Sequence, residues 1–536
     1  MKKVQELDRS KLTVEQKLGQ LYCANVSAYN QENIDYVIEM IKEHRLGSIW
    51  IQPGVRHREE TIARILEAAD YPILIMCDAE EGHVDYRIPQ QLSITAAGRE
   101  EYAHSFGRLT AATHRNMGYN VVCNPVLDIR WCNTSCGGVT RTFGPDKEKV
   151  ALYGAAMARG MHEGGVLTCA KHYPSGFEGL PYDTHMREGF CTATKEVLVD
   201  KFLYAYRKLM EEDLIDGIMT GHGRYPNVDP DRPTSLSKPV IDIIRELGFD
   251  GFLVTDALSM GGVVNKYGWY DPAAMSVAAG NDIPLVWKIG AKEGYEALCE
   301  RYRAGMFSEE DLERALTHVL AAQHKAALLP AVGEAIEHDI DKENTVKLNH
   351  ECITARLEEG LSPAISKDGR HIFIIMTDGK VTIDTEENYT PGPRDWYFPK
   401  RIAARIRELF PNSEVVDIPQ FPAPYNTEPV FDKQTHYDDV VFITFFQPSA
   451  FIGRETLTTR IVDFMDALQS TDRIVAHLHF GNPFVAAYAP YVPRVLLGLA
   501  AHECVMHGLE ILAGNAEALG SLPYDIEFHK KGDIIL

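Results

Sequence analysis

Two stretches of the chain concentrate residues whose types and order suit covalent and proton-transfer chemistry. The first is KHYPSGFEGLPYDTH, from Lys171 to His185, and the second is GFLVTDALSM, from Gly251 to Met260. Asp256 ends the apolar run Phe252–Thr255, where a lone carboxylate can be a nucleophile, a base or a hydroxyl-binding group. Helix N-capping is the alternative, since ALSMGG follows. Asp183 and His185 stand two apart in a loop, so their side chains can converge. An aspartate that accepts from one imidazole nitrogen fixes the tautomer and leaves the other nitrogen for proton transfer. An incidental surface loop would also contain such a pair. Lys171 and His172 close another apolar run, VLTCA, and supply a fixed cation and a second donor. Asp78 ends a strand-like run, and Arg141 lies in the Gly/Pro loop VTRTFGPD. A carboxylate and a planar bidentate donor grip sugar hydroxyls, but each serves equally well in a salt bridge.

Such residues need strands that end together. Strand-like runs at 47–53, 73–82, 119–129, 166–174, 217–223, 252–258 and 281–287 alternate with amphipathic helical stretches such as 194–213 and 238–248. Thr13-x-x-Gln16 announces the first helix as a capping box. This alternation over more than three hundred residues predicts a parallel sheet. Its length, and the polar residues at strand C-ends, predict a (β/α)8 TIM-type barrel over 1–335. A charged, mostly helical linker is expected at 336–365. A smaller α/β sandwich domain is expected over 366–536, with strands at 371–379, 413–419, 439–447, 473–483 and 494–500. No GxGxxG follows a strand, so dinucleotide binding and other cofactors are not expected.

The chain has 536 residues, too many for one ordinary core. Its 54 basic and 76 acidic residues give a net charge of −22, which argues against nucleic acid or an anionic membrane as partner. The first twenty residues hold no apolar core of a secretory leader, and no run is long enough to span a bilayer. With ten scattered cysteines, several inside apolar runs, the expectation is a cytoplasmic protein with reduced thiols. Cys132 and Cys136 in WCNTSCGG lack a second Cys/His pair nearby, so no metal site is expected.

With these residues in place, the chain resembles glycoside hydrolase family 3, and within it the β-N-acetylglucosaminidase (NagZ-like) branch. The resembling segments run in order. They are LTVEQKLGQL at 12–21, DAEEG at 78–82, NPVLDI at 124–129, RTFG at 141–144, KHYP at 171–174 and DTH at 183–185. IMTGHGRYPNVDPDRPTSLSK at 218–238, GFDGFLVTDALSM at 248–260 and AAGNDIPLV at 278–286 follow, with HFGNPFVAAY at 479–488 and GSLPYDI at 520–526 in the second domain. The resemblance implies a retaining, exo-acting β-glycosidase acting on a small carbohydrate, best an N-acetylglucosaminide. It implies Asp256 as nucleophile, His185 with Asp183 as acid/base dyad, and Asp78, Arg141, Lys171 and His172 as hydroxyl-binding groups. The chain departs from the branch at Ser175–Gly179, where Gly-His-Gly is usual after the proline, and at Ala257, where the family has a second Asp. A β-glucosidase of the same family, taking its acid/base Glu from the second domain, is the alternative. The loop expected to carry that residue, QPSAFIGRET at 447–456, has Glu455 but no Glu nearer Pro448. A phosphorylase of the same branch and a non-catalytic sugar-binding barrel are the remaining readings.

Overall fold

The computed structural model describes residues 5–80, 89–130, 132–133, 138–175, 183–330, 332, 339–377, 399–446, 450–451, 453, 455–499, 502–533 and 535. Eight short parallel strands make the first sheet: β1 (Cys23–Asn25), β2 (Ser48–Trp50), β3 (Leu74–Asp78), β4 (Val121–Cys123), β5 (Leu167–Tyr173), β6 (Gly217–Thr220), β7 (Phe252–Thr255) and β8 (Leu285–Val286). They neighbour one another in the order β7-β6-β5-β4-β3-β2-β1-β8, and a parallel bridge between Val254 and Ile283 closes the ring. Side chains such as Trp50, Met76, Cys123, Cys169, Met219 and Phe252 fill the interior as one buried cluster, so the barrel is a packed core rather than a pore. The helix Glu309–Ala327 adds Val319 and Ala322 to that cluster and plugs one end. Its Gln323 donates to Gln20 Oε1 at 2.8 Å and to the Gly47 carbonyl at 3.2 Å. The predicted capping box forms, with Thr13 and Gln16 satisfying each other's backbone N–H groups at Val14–Leu21.

Seven of the eight strands coincide with apolar runs evident in the sequence. The other, β1, is three residues long and directly follows the first helix, too short for a period to show.

The second sheet has the order β11-β10-β12-β13-β14-β9, from β10 (His371–Thr377), β11 (Glu414–Pro419), β12 (Asp439–Phe446), β13 (Ile474–Gly481), β14 (Arg494–Gly498) and β9 (Thr354–Leu357). Both faces are covered, which is why its strands read as continuous apolar runs. Phe373, Ile375, Val441 and Ile443 pack with the helix Pro399–Leu409, while Ile372, Ile374, Val440 and Phe442 pack with the helix Thr459–Gln469. One correction concerns the expected linker. Its residues Thr354–Leu357 form β9, which pairs antiparallel with β14 and finishes the sheet edge. All four β9 residues are only half-buried, so the strand has no apolar run to betray it.

Barrel closure depends on AAGNDIPLV. Asp282 is fully buried and accepts from the Leu253 N–H at 2.7 Å, from Arg245 Nη2 at 2.8 Å and from His318 Nδ1 at 2.9 Å. Asn281 accepts from Thr220 and donates to the Ser235 carbonyl. One carboxylate thus joins β7 to the segment before β8 and to the helices Lys238–Glu246 and Glu309–Ala327. Asp282→Ala leaves Arg245 without that buried partner, and such a loss costs about 3–5 kcal/mol. A markedly lower denaturant midpoint in urea unfolding is expected. An unchanged midpoint would show that the ring closes without this carboxylate.

Candidate active site

Each strand delivers its polar residue where the apolar run ends. Asp78 is the last residue of β3, Lys171 and His172 lie near the end of β5, and Asp256 follows β7. Asp78, Arg141, Lys171, His172, His185 and Asp256 all line one cavity of about 130 Å³, together with Asp128, Arg130 and His222. Asp183 stands directly behind His185.

Lys171 is 1% exposed and ion-paired to both Asp78 and Glu80. Burial alone would lower its pKa; the two carboxylates reverse this and hold the ammonium protonated well above the usual lysine range. Glu80 receives Arg141 as a bidentate partner, with Nη2 to Oε1 at 2.6 Å. Burial would raise the Glu80 pKa, but Arg141 and Lys171 outweigh it and keep the carboxylate ionised. Arg141 and Lys171 are therefore not bare positive charges at the cavity wall, because Asp78 and Glu80 balance them.

His172 is held in the same manner. Asp128 accepts its backbone N–H at 2.8 Å, lies 3.3 Å from its Nδ1, and is itself paired to Arg130 Nη2 at 2.9 Å. Asp128 is buried, and Arg130 and His172 together pull its pKa down against the upward push of burial.

Asp256 is not a helix cap: the helix after it begins at Gly261, with Met260 in the N-cap position. Its Oδ1 accepts the Ala257 N–H at 2.7 Å. Burial pushes its pKa up, yet His222, His172, His185 and that N–H bring it below the ordinary aspartate value, so the carboxylate is ionised at neutral pH. His222 is buried, and its pKa is lowered by that burial. Its Nε2 faces the Ala257 carbonyl at 3.0 Å, which can only accept, so that nitrogen carries the proton and Nδ1 accepts from Ser235 Oγ at 2.8 Å.

His185 is brought to Asp256 by the backbone. Gly261 N donates to the His185 carbonyl at 2.8 Å and Gly262 N to the Thr184 carbonyl at 3.0 Å. A Cβ on Gly261 would lie 2.3 Å from the Met186 carbonyl oxygen, so only glycine permits this approach. Asp183 Oδ1 accepts the His185 N–H at 3.0 Å and lies 2.9 Å from its Nδ1, which places the ring proton there. Burial would raise the Asp183 pKa; the bonds from His185 and from the Phe451 N–H lower it instead.

Several of these residues escape sequence reading. Glu80 and Asp128 lie within DAEEG and NPVLDI, yet Arg141, which pairs with Glu80, and His172, which Asp128 holds, are far along the chain. Glu455 is fully buried, accepts from Asn482 Nδ2 at 2.5 Å and does not line the cavity. Glu178, Cys136 and Gly176–Gly179 lie outside the described residues. Among those described, no group of three metal-ligating side chains occurs, and no helix is long and apolar enough to cross a membrane.

Glu80→Gln would take from Lys171 and Arg141 the carboxylate that they share. About 3–5 kcal/mol of stability is at risk, as for other broken buried pairs. A lower thermal midpoint is expected, along with a loss of turnover of about a hundredfold or more as Lys171 and Arg141 shift. A variant with wild-type melting and kinetics would show that Asp78 suffices.

Residues 13–322 match the model of the glycosyl hydrolase family 3 N terminal domain. A "Beta-N-acetylglucosaminidase/beta-glucosidase" of Cellulomonas fimi is 25% identical over 345 residues, spanning 60% of this chain and 60% of that relative's own length. Two solved structures share the fold over both domains. A glycoside hydrolase family 3 beta-N-acetylglucosaminidase from Paenibacillus sp. str. FPU-7 superposes with a TM-score of 0.79 at 23% identity, covering 96% of this chain and 99% of the other. "Beta-glucoside phosphorylase BglX" superposes with a TM-score of 0.81 at 22% identity, covering 96% and 94%. With the family pattern running through the whole barrel, from residue 13 to residue 322, the chain belongs to glycosyl hydrolase family 3.

Proposed function

We propose that the protein is a retaining, exo-acting β-glycosidase whose best substrate is a terminal β-linked N-acetylglucosaminide. The observation that carries this reading is the pairing of Asp183 with His185 at 2.9 Å beside an ionised Asp256 in one cavity. In the proposed reaction, Asp256 attacks the anomeric carbon while His185 protonates the departing glycosidic oxygen. The same imidazole then takes a proton from water, which releases the sugar from Asp256. Asp183 orients the ring and stabilises its charged form. Asp78, Lys171, Arg141 and His172 bind hydroxyls of the terminal sugar, held still by Glu80 and Asp128. The name of the Paenibacillus structure supports the N-acetylglucosaminide, while that of the Cellulomonas fimi relative gives both an N-acetylglucosaminidase and a glucosidase. The position of Glu455, buried away from the cavity, weighs against an acid/base Glu from the second domain at that residue.

Phosphorolysis is the second reading, favoured by the likeness to a structure named a phosphorylase. A neutral imidazole base would not repel a phosphate dianion as a carboxylate base would. Against it, Lys171, Arg141 and His172 are each matched by carboxylates, so they leave little positive potential to attract phosphate. Water is therefore the main acceptor in this proposal, with phosphate accelerating the second step.

Nitrophenyl glycosides of N-acetylglucosamine, glucose and xylose test the sugar, with the first expected to turn over fastest. A slow-deglycosylating fluorosugar should label the peptide containing GFLVTDALSM; label on another carboxylate would remove Asp256 from its role. His185→Ala should keep much of its rate on a dinitrophenyl glycoside yet lose orders of magnitude on an alkyl one. Equal losses on both would make His185 structural. Sugar 1-phosphate as the dominant product at millimolar phosphate would make the protein a phosphorylase.

A further inference from the structure

The barrel does not hold the Asp183–His185 pair alone. The connection after β12 of the second sheet reaches across to the dyad at Phe451. The Phe451 N–H donates to Asp183 Oδ2 at 2.8 Å, and its ring centroid lies 5.2 Å from that of His185. Lys288, two residues past β8, holds its Nζ 4.8 Å from the same Phe451 ring centroid. One aromatic ring thus contacts both the imidazole and an ammonium. Both Phe451, at 52%, and Lys288 are exposed, so this corner is open to a ligand.

Two features separate Lys288 from an ordinary surface lysine. First, it has no ion-pair partner among the described residues, in a chain with a net charge of −22 whose cavity-lining Lys171, Arg141 and Arg130 are each paired. Second, Lys288 and Phe451 both hold left-handed backbone conformations, with φ of 65° and 68°. Each costs on the order of 1 kcal/mol for a residue with a Cβ. Such positions persist where the surroundings impose them, and they gather at ligand-binding sites.

We infer that Phe451 and Lys288 form a leaving-group and acceptor subsite that selects an anion, with the ring as platform and the ammonium as counter-charge. This rests on His185 as the proton donor, because the group it protonates must leave past this ring. By microscopic reversibility the acceptor in the second step enters through the same space. The anion therefore has two sources: a carboxylate on the departing aglycone, or inorganic phosphate as acceptor. Phe451 acts on the dyad as a positioning residue through its N–H, and Lys288 sets specificity without joining the chemistry.

The test compares β-glycosides of 4-hydroxybenzoate and its neutral isostere 4-hydroxybenzamide, in wild type and in Lys288→Met, which keeps the stem and loses the charge. The wild type should favour the benzoate by about fivefold in kcat/KM at low salt, as one solvent-exposed ion pair allows. The preference should fade at high salt and vanish in Lys288→Met. If phosphate is the anion, the benzoate preference is absent, and phosphate acceleration of deglycosylation disappears in Lys288→Met instead. Phe451→Ala keeps the N–H and removes the ring, so KM should rise more for aryl than for alkyl glycosides, with the melting temperature near wild type. A wild type indifferent to both anions, or a Lys288→Met variant that discriminates as wild type does, overturns the inference. No turnover of either glycoside by wild type would instead overturn the glycosidase reading. The anion preference is then decided by calorimetric binding of the same two glycosides to both proteins, and equal affinities overturn it.

Discussion

A buried ammonium sets the conditions at the mouth of this barrel. Lys171 has almost no contact with water, and an ammonium moved out of water without a partner carries a penalty of several kcal/mol. Asp78 and Glu80 remove that penalty, but Glu80 then needs a second cation, which Arg141 supplies through both of its oxygens. Three separate segments, at 78–80, 141 and 171, are thereby fixed to one another before any substrate arrives. The outcome is a charge-balanced floor with rigid donors, suited to neutral hydroxyl groups. An uncompensated cation there would instead attract any anion in solution.

The same accounting explains why the half-buried Asp256 stays ionised. Among the described residues its support comes from imidazoles rather than from a lysine or arginine, and its own loop supplies one N–H. Such support is soft, because a neutral imidazole contributes a dipole and a protonated one a full charge. A nucleophile locked in a strong ion pair would be ionised but weakly reactive. In the proposed mechanism, Asp256 gains from being ionised while remaining unpaired by a fixed cation.

Much of the barrel was legible because its strands are buried on both faces and stop abruptly in charged residues. Asp78, Lys171, His172 and Asp256 could be picked out as the polar ends of apolar runs, and the two-residue spacing marked Asp183 with His185. What stayed hidden depends on distance along the chain. Glu80 is one acid among several in DAEEG until Arg141, sixty-one residues on, is seen to fork onto it. Asp128 reads as the end of NPVLDI, and only the fold shows that it holds both His172 and Arg130. β1 and β9 were hidden for a local reason, since three or four residues with mixed burial carry no periodic signal.

The second domain is the part whose contribution could least be read in advance, and it contacts the barrel at two places beside the cavity-lining residues. Tyr524 donates to the Arg130 carbonyl at 3.0 Å, Asn482 to Asn133 Oδ1 at 2.9 Å, and Ser521 N to the Ala96 carbonyl at 2.8 Å. Two of these hold the segment of Arg130 and Asn133, the third holds the helix Leu92–Ala97, and Phe451 reaches Asp183 from the same domain. A general acid on a loop needs its orientation fixed, since a misplacement of about an ångström can cost a hundredfold in rate. The Asp183 carboxylate has one oxygen committed to His185 and the other to the second domain. The dyad therefore belongs to the interface as much as to the barrel, and a barrel of this sequence without its partner domain would lack one of the two bonds that hold its aspartate in place.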